Sequence, residues 1–214
     1  LRATNGRIMN IISDSTPLFL GGSADVASST KTELVNGRNF KVNGEYGKNI
    51  RFGVRENLMA SIVNGLSLLN LKAFGSTFLT FSDYMKPGIR LAALMNTPST
   101  FIFTHDSISI GEDGPTHEPV EQIGALRAIP NMYVFRPADL REIIASWHYI
   151  LNEQVPASLI ISKDKVSEIE GSSKNEALKG GYIIRKEQRR LDAIIIATGT
   201  EVHTALKIAE ELRL

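Results

Sequence analysis

Apolar spacing switches repeatedly along this chain between a period near two and a period near 3.6, and that alternation limits the fold more than any other feature. Leu58, Ile62, Leu66 and Leu69 recur at steps of four, four and three, which predicts an amphipathic helix. Ile8, Ile11 and Ile12 place a helix over 4–14. Helices are also expected over 82–95 and 138–151; Pro87-Gly88 predict a kink or late start in the first, and Pro119 suits the opening turn of another. Between them lie short β-branched and aromatic runs: Leu18–Leu20, stopped by Gly21-Gly22, then Ile50–Val54, Lys72–Thr77, Thr100–Thr104, Met132–Phe135 and Ala157–Ile161. Strand, helix, strand, repeated, requires crossover connections. The expected fold class is therefore α/β, a mostly parallel sheet with helices on both faces.

The alternation pauses at residues 164–180, a polar stretch holding Gly171-Ser172-Ser173 and Gly180, which reads as a linker. Beyond it, strands are expected over Tyr182–Arg185 and Ala193–Ala197, then a turn at Gly199 and a helix carrying Val202, Leu206, Ala209 and Leu212 on one face. A strand–strand–helix piece cannot bury its own faces. The organisation expected is a complete domain over 1–163, a linker over 164–180 and the truncated start of a second α/β domain over 181–214.

Charge and composition remove several classes of function. Lys plus Arg number 24 and Asp plus Glu 23, so no net field draws the chain to nucleic acid or an anionic membrane. There are no cysteines, hence no disulfides, thiolate metal sites or cysteine nucleophiles. No apolar run approaches the ~18 residues of a membrane span, and Leu1-Arg2-Ala3-Thr4 lacks a signal-peptide core. A cytoplasmic location is the expectation.

In open α/β sheets ligands bind beyond the carboxyl ends of the strands, and unusual residues gather there. Gly21-Gly22-Ser23-Ala24-Asp25 follows the first strand and Val54-Arg55-Glu56 the second. Phe78, Phe81 and Tyr84 follow the third at steps of three; the loop from His105 to His117 follows the fourth, and Lys163 the last. Each has a plain structural reading as well. A glycine pair makes a turn, a glutamate in a first helical turn is favoured by the helix dipole, and rings at helical spacing belong to cores. His105, Asp113 and His117 could flank a metal, but they lack the i, i+4 spacing of common zinc motifs. No dinucleotide, Walker A, nucleophile-elbow or zincin motif is present.

Taken together, Gly21–Asp25, Phe52-Gly53-Val54-Arg55-Glu56, Ser76–Phe81, and Thr104-His105-Asp106-Ser107 leading into Gly111–His117 resemble the transketolase family, and the resemblance covers essentially the whole chain. It implies a thiamine-diphosphate-binding fold, with 1–163 as the pyrimidine domain. It implies that Glu56 hydrogen-bonds the cofactor's aminopyrimidine and favours the tautomer that deprotonates the thiazolium carbon. Phe78, Phe81 and Tyr84 would surround the pyrimidine, and Asp25 would line the site. His105, Asp113 and His117 would hold the sugar's carbonyl and hydroxyls, with His117 as proton shuttle, since imidazole titrates near neutrality.

The same resemblance assigns the substrate phosphate to Arg2, Ser29 and Lys163. Lys163 stands where the family carries arginine, keeping the charge but losing the bidentate fork. Ser28 stands where the family usually has proline. The family holds Mg2+ and the cofactor diphosphate through a Gly-Asp-Gly motif of an N-terminal domain, and no Gly-Asp-Gly occurs here. The implied activity is transfer of a two-carbon ketol unit from a ketose phosphate to an aldose phosphate, by a homodimer completed by the diphosphate-binding domain, with this chain alone inactive and no metal ligand of its own. A related ketose-active enzyme such as a dihydroxyacetone synthase, and a non-catalytic subunit or scaffold of the same fold, are the rival readings.

Overall fold

The computed structural model describes residues 1–41 and 46–212. Six strands form one sheet: β1 (Phe19–Ser23), β2 (Asn49–Arg51), β3 (Lys72–Phe78), β4 (Thr100–Thr104), β5 (Tyr133–Phe135) and β6 (Ala157–Ile161), in the order β2-β1-β3-β4-β6-β5. Every neighbouring pair is parallel. The helices are α1 (Arg2–Ser15), α2 (Ala27–Thr30), α3 (Glu56–Leu68), α4 (Ser82–Met95), α5 (Gln122–Arg127), α6 (Leu140–Glu153), α7 (Lys174–Ala177) and α8 (Glu201–Glu211). The expected α/β class and parallel sheet are thus what the chain adopts. No helix of the described residues is long and apolar enough to cross a membrane.

Side-chain alternation along the central strands divides the core in two. Phe101 and Phe103 of β4 pack on one face with Met59 and Val63 of α3 and Met85 and Ile89 of α4. Ile102 turns to the other face, joining Met9 of α1, Phe19, Phe74 and Ile143 and Trp147 of α6. Trp147 is fully enclosed; its indole N–H donates to Asn5 Oδ1 at 2.7 Å, and Phe19 meets its ring edge-on at 5.7 Å. Both faces of β4 and β6 are buried, which is why these strands carry consecutive apolar residues, Phe101–Phe103 and Leu159–Ile161, rather than an alternation.

Four local expectations are corrected. β1 does not stop at the glycine pair but runs through it: a Cβ on Gly21 would lie 2.0 Å from Phe74 O, and one on Gly22 1.8 Å from Ile50 O. The glycines let neighbouring strands close up, rather than turning the chain. β2 ends at Arg51, short of the expected Val54. Pro119 does not open α5, which begins at Gln122, because Gln122 Oε1 accepts from Val120 N at 2.8 Å and makes a side-chain turn first. The expected strands at 182–185 and 193–197 are not strands. No strand lies beside either segment among the described residues, and a strand without a ladder leaves its backbone groups unpaired. Ile194 and Ile196 accordingly face solvent. Pro87 lies inside α4.

The polar stretch 164–180 lies against the sheet domain. Ile169 is buried, and its N–H donates to Asp139 Oδ2 at 3.1 Å. Ala138, Ile169 and Val202 form a small third core, which seats α8 beside the start of α6.

Candidate functional site

All six strands run the same way, so their carboxyl ends share one edge of the sheet. Glu56 is the first residue of α3 and points into a cleft of about 480 Å3 with Ala24, Asp25, Val26, Val54, Phe81 and Tyr84. Asp25, just past β1, has a positive φ of 65°, which an aspartate tolerates better than most residues and which ends the strand sharply.

The three aromatic residues do not share one helix face, although their spacing predicts it. Phe78 ends β3, Phe81 ends a 3-10 turn (Leu79–Phe81) and Tyr84 lies in the first turn of α4. The rings nevertheless form a continuous row. Phe78 and Phe81 stack at 5.9 Å and 17°, and Phe81 and Tyr84 are 6.1 Å apart. His117 presents its edge to Phe81 at 5.2 Å, and His105 lies 4.0 Å from Phe78. The row links the Glu56 cleft to a polar cluster. Offset and edge-on contacts of this kind fix ring positions while leaving an apolar face for a flat ligand.

The polar cluster is built from α1, α2, the β4 loop and the end of β6. Arg2 Nη1 donates to Ser29 O at 2.7 Å and lies 3.4 Å from His105 Nε2. The link to Ser29 is through its carbonyl, leaving the hydroxyl outside that contact. Backbone Arg2 N donates to Ser162 O at 3.2 Å, which fixes α1 against the end of β6. Lys163 Nζ lies 3.9 Å from Asp113 Oδ2, with both side chains about one-third exposed (34% and 35%). A small recess of about 50 Å3 between the β4 loop and β6 is lined by His105, Asp106, Ser162 and Lys163, among others.

His105 is buried and sits at φ 59°, a left-handed conformation that aims its ring back over Phe78. Arginine only donates, so Nε2 accepts from Arg2 and the neutral ring carries its proton on Nδ1, which donates to Thr104 Oγ1 at 2.8 Å. Burial first, and then the Arg2 charge, lower its pKa from 6.5 to about 4. His105 is therefore a neutral hydrogen-bonding group at pH 7. Its folded pKa lies below the unfolded one, so the unfolded state binds more protons between pH 6.5 and 4. The stability it contributes is complete above pH 6.5 and is lost as pH falls towards 4. Urea unfolding at pH 7 and pH 4.5 should show a larger loss for the wild type than for His105→Gln. Equal losses would contradict this assignment.

Asp25, Glu56, Phe81 and Tyr84 thus share one cleft, with Phe78 and His117 adjoining it through their rings. Arg2, Ser29, His105, Asp113 and Lys163 meet in the adjacent polar cluster. No group of three or more His, Cys, Asp or Glu among the described residues could hold a metal ion. Two features escaped the sequence reading. Gln122 Nε2 donates to Asp83 Oδ2 at 2.9 Å, tying the His117 loop to α4. Arg136, next after β5, forms an ion pair with the buried Asp106 at 3.0 Å. Arg136 falls at the same edge of the sheet as the other site residues, so its position after a strand was the available signal.

The chain matches the family described as "Transketolase, pyrimidine binding domain" over residues 1–168. It is 45% identical over 218 residues to a transketolase of Bacillus subtilis (strain 168), covering 99% of this chain and 32% of that protein. Among solved structures, a mutant transketolase from Pichia stipitis superimposes with a TM-score of 0.95 at 38% identity, covering 99% of this chain and 32% of that one. A transketolase complex with sedoheptulose-7-phosphate from the same organism gives 0.93 at 38% identity, covering 100% of this chain and 33% of the other. The chain spans about a third of the length of these relatives.

Proposed function

This chain belongs to the transketolase family, and on that premise we propose that it supplies the pyrimidine-side half of an active site that moves a two-carbon ketol unit from a ketose phosphate to an aldose phosphate. The observation that carries this reading is the convergence of one carboxyl, Glu56, with Asp25, Phe81 and Tyr84 on a single cleft joined by a row of rings to the cationic cluster of Arg2 and Lys163. The rings and the carboxyl suit the pyrimidine half of thiamine diphosphate. The same cleft carries two carboxylates, Asp25 and Glu56, and no basic side chain, which suits the ring better than a diphosphate. The diphosphate and its ion are assigned to an N-terminal domain, with 1–163 as the pyrimidine domain and 181–214 as the start of a further one. Two copies of the chain are taken to pair, and the setting is the pentose phosphate pathway of the cytoplasm.

When bound, the cofactor supplies a nucleophilic carbon able to cleave the donor's carbon–carbon bond. This chain's residues prepare and feed that centre. Glu56 shares a proton with a pyrimidine ring nitrogen, and Phe81 and Tyr84 exclude water from the ring's faces. His117 exchanges protons with the sugar hydroxyls. Neutral His105 and Asp113 orient the sugar by hydrogen bonds, and Asp25 lines the cofactor cleft beside Glu56. Arg2 and Lys163 supply positive charge for the phosphate, together with Ser29.

The test is a transfer assay with ketose phosphate donor and aldose phosphate acceptor, using a holoenzyme that carries this segment. Absence of two-carbon transfer would overturn the reading. Within that assay, Lys163→Ala should raise KM for phosphorylated donors by ~10-fold or more, with kcat little changed, because a charged contact made equally in the ground and transition states affects binding alone. Unphosphorylated donors should be unaffected. Equal effects on both would separate Lys163 from the phosphate.

A further inference from the structure

Arg136 is not among the residues that face the cleft, yet it is the most connected side chain near the site. It follows β5 and is only 10% exposed. Its Nε donates to Asp106 Oδ2 at 3.0 Å, and Nη2 lies 3.0 Å from the same oxygen. Its Nη1 turns the other way, donating to Thr198 O at 3.0 Å and Thr198 Oγ1 at 3.2 Å and pairing with Glu201 Oε2 at 2.6 Å. The backbone joins in, with Gly199 N donating to Arg136 O at 3.0 Å. Gly199 adopts φ 62°, and a Cβ there would lie 2.9 Å from Arg136 Nε. Only glycine lets the 198–201 turn close over the guanidinium.

One rigid fork therefore spans two parts of the chain, Asp106 on one side and Thr198 and Glu201 on the other. On one side is Asp106, buried and bonded directly to His105 in the chain. On the other is the N-terminal turn of α8, with Glu201 half exposed. Burial raises the Asp106 carboxyl, and the Arg136 charge opposes that shift and favours the ionised form.

We propose that Arg136 is a positioning residue that couples the docking of α8 to the placement of His105 through Asp106. This rests on the reading that His105 contacts the sugar. The ring of His105 is held by Thr104 and Arg2, and the left-handed backbone that carries it runs directly into Asp106, whose side chain Arg136 anchors. Loosening the 198–201 turn frees one end of the fork, and the strain at His105 then has less to oppose it. The other titratable groups facing the ring are Lys163, Asp113 and His117, and none of them belongs to α8.

The experiment is NMR titration of the His105 ring in the full 214-residue chain, which needs neither cofactor nor substrate. Glu201→Ala should raise the His105 pKa, with at least a threefold change in its protonation constant, or about half a pH unit. The sign is diagnostic. Removing a negative charge acts through space to lower a histidine pKa, whereas release of the anchor lets water reach the ring and raises it. In an Arg136→Lys background, where the charge remains and the fork is lost, Glu201→Ala should add no such rise. A fall, no change, or an equal rise in both backgrounds would overturn the coupling. Because turnover is not measured, failure here leaves the proposed reaction standing, and failure of the transfer assay leaves the coupling standing.

Discussion

Glu56→Ala is expected to reduce turnover of the holoenzyme by ~10^2–10^4-fold, the range that a positioned proton-transfer group contributes. The fold should survive. Glu56 is only half-buried and opens α3, so its loss removes a favourable helix-dipole interaction of ~0.3–1 kcal/mol and no packed core atoms. Rate and stability effects can thus be told apart in one variant. Glu56→Gln retains a hydrogen-bonding group but cannot take up a proton, and it should be nearly as slow. The direct measurement is exchange of the cofactor's C2 proton with solvent. Exchange at the wild-type rate in either variant would detach Glu56 from cofactor activation and leave it as an acid in the first turn of α3.

The second large effect concerns affinity. The 214-residue chain by itself should bind thiamine diphosphate with no useful affinity and catalyse no ketol transfer. Most of the cofactor's charge lies on its diphosphate, and such a group is normally met by Mg2+, helix N-termini or a basic cradle. The cleft around Glu56 offers two carboxylates and two rings instead. Ring stacking and one hydrogen bond supply ~1–3 kcal/mol, which corresponds to dissociation constants of several millimolar or weaker. Calorimetric titration with Mg2+ and thiamine diphosphate should show no saturable heat at micromolar cofactor. Micromolar binding would mean that these residues hold a diphosphate by some other arrangement. Restored activity on adding a diphosphate-binding domain would support a site divided between domains.

The sheet was legible in the sequence because buried strands are marked by what they contain. Thr100–Thr104 and Ala157–Ile161 are dominated by β-branched, aromatic and apolar residues, and both have the expected bounds. The errors arose where one residue type serves two purposes. Gly21-Gly22 carries the same letters whether it turns the chain or lets Phe74 and Ile50 approach, and only the neighbouring strands decide between them. Ala193–Ala197 has the composition of a strand, but composition cannot supply the ladder partner. The spacing of Phe78, Phe81 and Tyr84 suggested one helix, while the row of rings in fact crosses a strand end, a 3-10 turn and a helix. For the site, the residues that follow β1 to β4 and β6 were identifiable by the rule for strand ends. Arg136 follows β5 and obeys the same rule, yet its significance depends on Asp106 and Glu201, which lie 30 residues before it and 65 after it in the chain.

The strand order also has a kinetic consequence. Gly22 pairs with Gly75 and Phe101 with Ser158, so the pairings on either side of the central β3–β4 pair join segments more than fifty residues apart, and Phe74 of β3 pairs with Thr100 of β4 across 26 residues. No such pair can form locally. Each long loop must be closed before its pairing returns any energy, which is the condition that slows folding relative to a helical bundle of the same size. The helices α3 and α4 are close in sequence and can associate early, but Asp25, Glu56, Phe81, His105 and Lys163 come together only when β1, β3, β4 and β6 are all in register. A partly folded chain therefore lacks the complete site. Any ligand that prefers this edge of the sheet can slow unfolding once the sheet is complete, and cannot act as a template while it forms.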